Sequence, residues 1–181
     1  MLRELFEKRH RNLRSTNNKV KFTYKKYIRA CEAIAEDIKK NFDLDKIELV
    51  GIARGGLPML VTLSHMLGIR QISMIQTQMS NSDNCHDYGK FRFLNDCVTN
   101  SDKECVLLED IVFKGTTTNG VIEILKERGK KVAAAYSLII DKGFKNITIS
   151  NDDVDIMYCY EINEDDWCYF YWEEDLDKLK L

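Results

Sequence analysis

Residues 105–118, Cys105-Val106-Leu107-Leu108-Glu109-Asp110-Ile111-Val112-Phe113-Lys114-Gly115-Thr116-Thr117-Thr118, decide the fold. Val106, Leu107 and Leu108 make the short apolar run of a buried parallel strand, and beyond the turn Val121, Ile122, Ile124 and Leu125 recur at helical spacing. The segment therefore predicts a strand, a turn and a helix. Unpaired backbone N–H groups at a helix start, reinforced by the helix dipole, favour a phosphate, and Gly115 lets the chain approach one closely. Thr116, Thr117 and Thr118 offer hydroxyl donors and helix caps. Glu109 and Asp110, at the carboxyl end of the strand, suit the hydroxyls of a sugar carrying that phosphate. The expected ligand is a sugar phosphate.

The same pattern recurs upstream. Residues 47–52 form a second apolar strand, followed by Ala53-Arg54-Gly55-Gly56-Leu57-Pro58 and a helix over about 58–67, with Gly68 suited to its end. Residues 24–41 carry apolar side chains at Tyr27, Ile28, Ala30, Cys31, Ile34, Ala35 and Ile38 among charges, the stripe of an amphipathic helix. Further strands are expected at 71–78, 131–140 and 155–160, before the aromatic tail Trp167-Cys168-Tyr169-Phe170-Tyr171-Trp172. Residues 79–100, polar around Tyr88, Lys90, Phe91, Arg92 and Phe93, predict a mobile loop or a hairpin. Alternating strands and helices imply an α/β fold with a mainly parallel sheet that binds ligands at the carboxyl ends of its strands. Both glycine turns belong on that edge.

A chain of 181 residues, 44% hydrophobic, can bury one core, and a single domain over 1–181 is the expectation. Its 27 basic and 29 acidic side chains leave a net charge of −2, which argues against nonspecific nucleic-acid binding. Acids gather in residues 151–177 and bases in 1–29. Residues 1–23 read as a basic N-terminal extension, open between an arm, a partly helical segment and a disordered lead-in. No apolar stretch reaches the roughly 18 residues needed to cross a bilayer, and the charged start lacks a signal-peptide core, so a cytoplasmic protein is expected. Cys31, Cys85, Cys97, Cys105, Cys159 and Cys168 show no CxxC spacing and read as inert thiols. His10, His65 and His86 are too scattered to form a ligand cluster.

Over roughly residues 25–175 the chain resembles the type I phosphoribosyltransferases, which join a nitrogenous base to 5-phosphoribosyl-1-diphosphate and release diphosphate. The resemblance rests on two motifs about 55 residues apart, each after a strand. One is the sugar-phosphate motif at 106–117. The other is the diphosphate loop, here Val50-Gly51-Ile52-Ala53-Arg54-Gly55-Gly56-Leu57. The tail looks most like the bacterial xanthine-guanine and related 6-oxopurine enzymes, with residues 141–175 as a base-binding hood. That resemblance implies that Lys142 donates to a purine 6-oxygen, Trp167 stacks on the ring, Cys168 offers backbone groups and Glu173 sits near the 2-position. Tyr171 stands where the family usually has proline. Four residues after the first acid, where 6-oxopurine enzymes usually carry an aspartate that manages the N7 proton, stands Phe113, which cannot act as acid or base.

The implied activity is magnesium-dependent transfer of phosphoribose to a purine-like base, giving a nucleoside monophosphate. Ala53, Arg54, Gly55 and Gly56 would hold diphosphate. Glu109 and Asp110 would hold the ribose hydroxyls and favour the cationic sugar, with a weak contribution to the metal made mostly through substrate. Lys114, Gly115, Thr116, Thr117 and Thr118 would hold the 5′-phosphate, and Lys90 or Arg92 would close over the site. Two other readings stay open: a member that binds phosphoribosyl diphosphate or a nucleotide as a regulator, and a transferase with a non-purine acceptor. Plainer roles also stand beside these, turn chemistry for Lys142, solvation for Lys114, and core or interface packing for Trp167 and Trp172. A homodimer is left open.

Overall fold

The computed structural model describes residues 11–13, 19–79, 90–141, 154, 156–163 and 166–173. Two short strands, β1 (Arg11–Asn12) and β2 (Lys19–Phe22), lead into α1 (Tyr24–Asn41), whose Thr23 cap accepts the Lys26 N–H. Next come β3 (Ile47–Ala53), α2 (Gly56–Leu67), β4 (Ile72–Gln78) and β5 (Arg92–Asp96). The second half contains β6 (Glu104–Val112), α3 (Thr116–Glu127), β7 (Val132–Asp141), β8 (Ile156–Ile162) and β9 (Trp167–Phe170).

Seven strands form one sheet in the order β1-β8-β7-β6-β3-β4-β5, parallel throughout except for the antiparallel β4–β5 pair. From β3 the chain winds outward to β4, and from β6 it winds the other way to β7. The winding therefore reverses between the neighbours β3 and β6. In an open α/β sheet this reversal leaves a crevice at the carboxyl ends of the strands, because the following connections leave toward opposite sides. Both glycine turns flank it.

Side-chain alternation explains the layers. Leu49, Val106, Leu108, Ala134, Tyr136 and Leu138 point to one face and pack with Tyr27, Ile34 and Ile38 of α1 and Met59, Leu60 and Leu63 of α2. Val50, Ile52, Cys105, Leu107 and Ala135 point to the other and pack with Val121, Ile122 and Leu125 of α3. Strands buried on both faces read as continuous apolar runs. The mainly parallel α/β architecture expected from the sequence is the one observed.

Several boundaries differ from expectation. Helix α2 begins at Gly56, two residues before Pro58. Proline is tolerated there because N–H groups of the first turn have no intrahelical partner to lose. Within 79–100 the alternatives divide: β5 returns antiparallel to β4, as a hairpin does, while residues 80–89 lie outside the described residues. Within the basic N-terminal extension the described residues include two strands. β1 joins the edge of the main sheet beside β8, and β2 pairs in parallel with β9 in a separate two-stranded sheet.

At the amino ends of the strands, opposite the crevice, the fully buried Glu48 carboxylate is paired with the Lys130 ammonium at 2.7 Å. Thr99, Ser101 (3.1 Å) and the Cys105 thiol (3.4 Å) also donate to it. Lys130 donates as well to Ser101, so the loop before β6 and the turn before β7 are tied to β3.

Candidate active site

Two turns meet at the crevice. β3 ends at Ala53, the Ala53–Arg54 peptide is cis, and Leu57 N–H donates to the Arg54 carbonyl at 3.1 Å. Arg54 itself is exposed to solvent. A Cβ on Gly55 would stand 2.0 Å from an Asp110 carboxylate oxygen, and one on Gly56 would stand 2.3 Å from the Leu108 carbonyl oxygen. Both glycines are therefore needed for close approach: the loop after β3 lies directly on the end of β6.

On β6, Asp110 accepts the Ile111 N–H at 2.8 Å, and Glu109 accepts the Thr118 hydroxyl. Burial pushes the Glu109 carboxyl up to about 8, against the pull of the Thr118 hydroxyl, and the neighbouring Asp110 charge adds to the rise. Burial likewise raises Asp110 to about 6; the Ile111 N–H opposes this and the Glu173 charge reinforces it. Negative charge is thus held here at a cost, which a cation or a cationic sugar would relieve.

The turn into α3 is made by Gly115, whose φ of 74° is a left-handed conformation that favours glycine. Gly115 is also the helix cap and offers no side chain to the first-turn N–H groups. This corrects one expectation: the threonines begin the helix instead of capping it. Thr116 is exposed, Thr117 is half-buried, and Thr118 is buried with its hydroxyl given to Glu109. Lys114 is exposed beside the turn, whereas Phe113 is half-buried and packs against the core beneath α1 and α2.

These two turns lie on neighbouring parallel strands at the winding reversal. Residues 23–178 match the family model of the phosphoribosyl transferase domain. The chain belongs to that family. Among its relatives, the bifunctional protein PyrR of Acetivibrio thermocellus is 26% identical over 138 residues, covering 70% of this chain and 73% of PyrR. The transcriptional regulator GfcR of Methanocella arvoryzae is 28% identical over 130 residues, covering 68% of this chain but 60% of GfcR. Among solved structures, the purine phosphoribosyltransferase from Pyrococcus horikoshii superposes with a TM-score of 0.66 at 27% identity, over 87% of this chain and 95% of that one.

In this phosphoribosyl transferase domain the remaining expected residues fall into separate groups. Glu173, in the turn after β9, accepts the Phe170 N–H at 3.0 Å, and its charge acts on Asp110. The buried Cys168 thiol is pushed up by burial and then by the charges of Asp110 and Glu173. Trp167, an odd number of residues away, lies half-buried on the opposite face with Tyr169, the ring centroids 6.5 Å apart. Lys90 and Arg92 are exposed at the return of the chain into β5. Lys142 lies outside the described residues.

Two contacts were not anticipated. Thr118 serves Glu109, and the Phe91 ring fills the space where a Cβ on Gly120 would stand, 2.6 Å from its nearest atom, which docks residues 90–92 beside α3. A glycine inside a helical pattern costs stability relative to alanine, and that cost was the available signal. Among the described residues, no group of three or more His, Cys, Asp or Glu is gathered for a metal ion, and no helix is long and apolar enough to cross a membrane.

Proposed function

We infer that this chain transfers the 5-phosphoribosyl group from phosphoribosyl diphosphate to a purine-like base, a 6-oxopurine being favoured, and releases diphosphate. The observation that carries this reading is the seating of Gly55 and Gly56 on the end of β6, against Asp110 and Leu108. It sets a loop suited to diphosphate against a strand end suited to ribose and its 5′-phosphate.

As the C1–O bond to diphosphate loosens, positive charge develops on the ribose ring. Glu109 and Asp110 hold the ribose hydroxyls and favour that charge. Arg54 and the N–H groups around Gly55 and Gly56 hold the departing diphosphate, and the start of α3 with Lys114 holds the 5′-phosphate. Lys90 or Arg92, docked near α3 through Phe91, shields the site from water.

The donor set fits magnesium as a partner of the substrate. Two adjacent carboxylates with raised pKa values gain from a cation, while the lack of a third gathered ligand among the described residues leaves most positions to substrate oxygens and water. Bound there, the ion would neutralise charge on the leaving diphosphate.

Phe113 favours a second reading, in which the fold binds phosphoribosyl diphosphate or a nucleotide as a regulator. The position that could carry an acid for the base is instead packed against the core. PyrR and GfcR, one bifunctional and the other a transcriptional regulator by name, give that reading weight. Diphosphate release is to be measured with phosphoribosyl diphosphate, magnesium and a panel of bases. Turnover of hypoxanthine, guanine or xanthine supports the transferase. Binding without turnover of any base supports the regulator, and turnover confined to another acceptor replaces the purine.

A further inference from the structure

Strand β2 stands apart from the seven-stranded sheet. It pairs in register with β9, Val20 beside Cys168 and Phe22 beside Phe170. Val20 and Phe22 are wholly buried, while Lys19 and Lys21 between them are exposed. The Phe22 ring meets Tyr160 edge-on at 5.3 Å and Phe170 at 5.4 Å. Phe170 in turn stacks on Trp172, centroids 4.5 Å apart and planes within 8°. The backbone of Phe170 also closes the following turn: its N–H donates to the Glu173 carboxylate at 3.0 Å, and its carbonyl accepts the Glu173 N–H at 2.9 Å. At the other end, the Lys26 ammonium donates to the Lys21 carbonyl at 2.9 Å and ties β2 to α1.

A pair of four-residue strands is marginal by itself, so its geometry depends on the packing of its apolar face. Here that packing is a series of aromatic contacts, each favouring a particular ring angle. The series passes through Phe170, whose backbone holds Glu173. Resting on the acceptor-base reading above, we propose that Phe22 is a positioning residue of the acceptor-base site, fixing through Phe170 the turn that carries Glu173. The basic N-terminal segment thereby acquires a function in the reaction, as the brace of the hood. The ribose-phosphate half, built from the turns after β3 and β6, does not depend on that brace.

The test compares equilibrium binding of guanosine 5′-monophosphate and ribose 5-phosphate to the full chain, since the ratio of their Kd values isolates the base. Phe22→Leu keeps most of the volume while removing the ring contacts. It is expected to shrink the ratio about tenfold and to change ribose 5-phosphate affinity by no more than about twofold. Leu125→Val, in the opposite core layer, should leave the ratio unchanged at similar loss of melting temperature. If Phe22→Leu does not fold, Val20→Ala, beside Cys168, reads the same ratio. An unchanged ratio in a folded variant overturns the proposal, as does a parallel loss of both ligands. A wild-type chain that binds the two equally overturns the acceptor-base reading itself, and the proposal with it.

Discussion

Asp110 occupies the space that a side chain on Gly55 would need: an ideal Cβ there would lie 2.0 Å and 2.3 Å from its two carboxylate oxygens. Gly55 has an ordinary helical φ of −62°, so the requirement for glycine is one of space, not of conformation. Gly55→Ala must push the loop off β6 or turn Asp110 away. A folded variant is expected, less stable by about 1–3 kcal/mol in urea unfolding. Its affinity for phosphoribosyl diphosphate should fall at least about tenfold by calorimetry, because both halves of the cradle lose their spacing. Wild-type affinity would mean that the contact does not set the site.

Thr118 and Glu109 supply a second test. The hydroxyl donates to the Glu109 carboxyl, which burial and the Asp110 charge raise to about 8 even with this bond opposing the rise. Thr118→Val keeps the shape, removes the donor and lifts Glu109 further, leaving less carboxylate at neutral pH. Ribose 5-phosphate affinity at pH 7 should drop about tenfold as the ionised fraction of Glu109 shrinks. Part of the loss should return as pH rises, when the carboxyl ionises again. Thr118→Ser retains the donor and should bind nearly as the wild type does; equal weakening in both variants would point to packing instead.

What the sequence disclosed and what it hid follow the range of each interaction. The strand-glycine-helix units at 47–67 and 104–127 were legible because apolar runs, helical spacing and turn glycines are local signals. The Gly55–Asp110 contact joins residues far apart in the chain, and its spacing is set by the neighbouring pairing of β3 and β6. Thr118 was read as a phosphate donor because the angle between β6 and α3, which turns it back to Glu109, leaves no trace in composition. Lys19-Val20-Lys21-Phe22 does alternate as a strand, but four residues among other charges are too short to separate from chance. Trp167 and Cys168 send their side chains to opposite faces of β9, so a ligand stacked on Trp167 would meet Cys168 only through its backbone, as the resemblance implies.

Glu48 and Lys130 lie at the far edge of the sheet and test stability apart from the site. Burial raises the Glu48 carboxyl, but Lys130, Thr99 and Cys105 together outweigh it and hold the group below its usual range. With the folded pKa depressed, the contribution is fully present above the unfolded value of about 4.3 and is lost as pH falls through the folded pKa. Lys130→Met leaves the carboxylate buried and uncompensated, which should cost about 3–5 kcal/mol at pH 7. The deficit should shrink in acid, since protonation removes the stranded charge. Urea unfolding at pH 7 and pH 4 measures both terms; a deficit independent of pH would assign the loss to the lysine stem.

Phe113 decides how far the purine reading extends. Its ring packs against the core beneath α1 and α2, at the position where the resemblance to 6-oxopurine enzymes leads one to expect an acid. Phe113→Asp exchanges part of that packing for a carboxylate beside the candidate base site, so a loss of about 1–3 kcal/mol in stability is expected. If proton transfer at the base limits the wild type, turnover of hypoxanthine or guanine should rise by at least about tenfold, within the range that one placed acid or base supplies. Diphosphate release at saturating phosphoribosyl diphosphate, with melting temperature recorded alongside, provides the measurement. Unchanged turnover in a folded variant would assign the proton to another group. A rise on purines alone would identify the ring as the feature that holds this site away from 6-oxopurine chemistry.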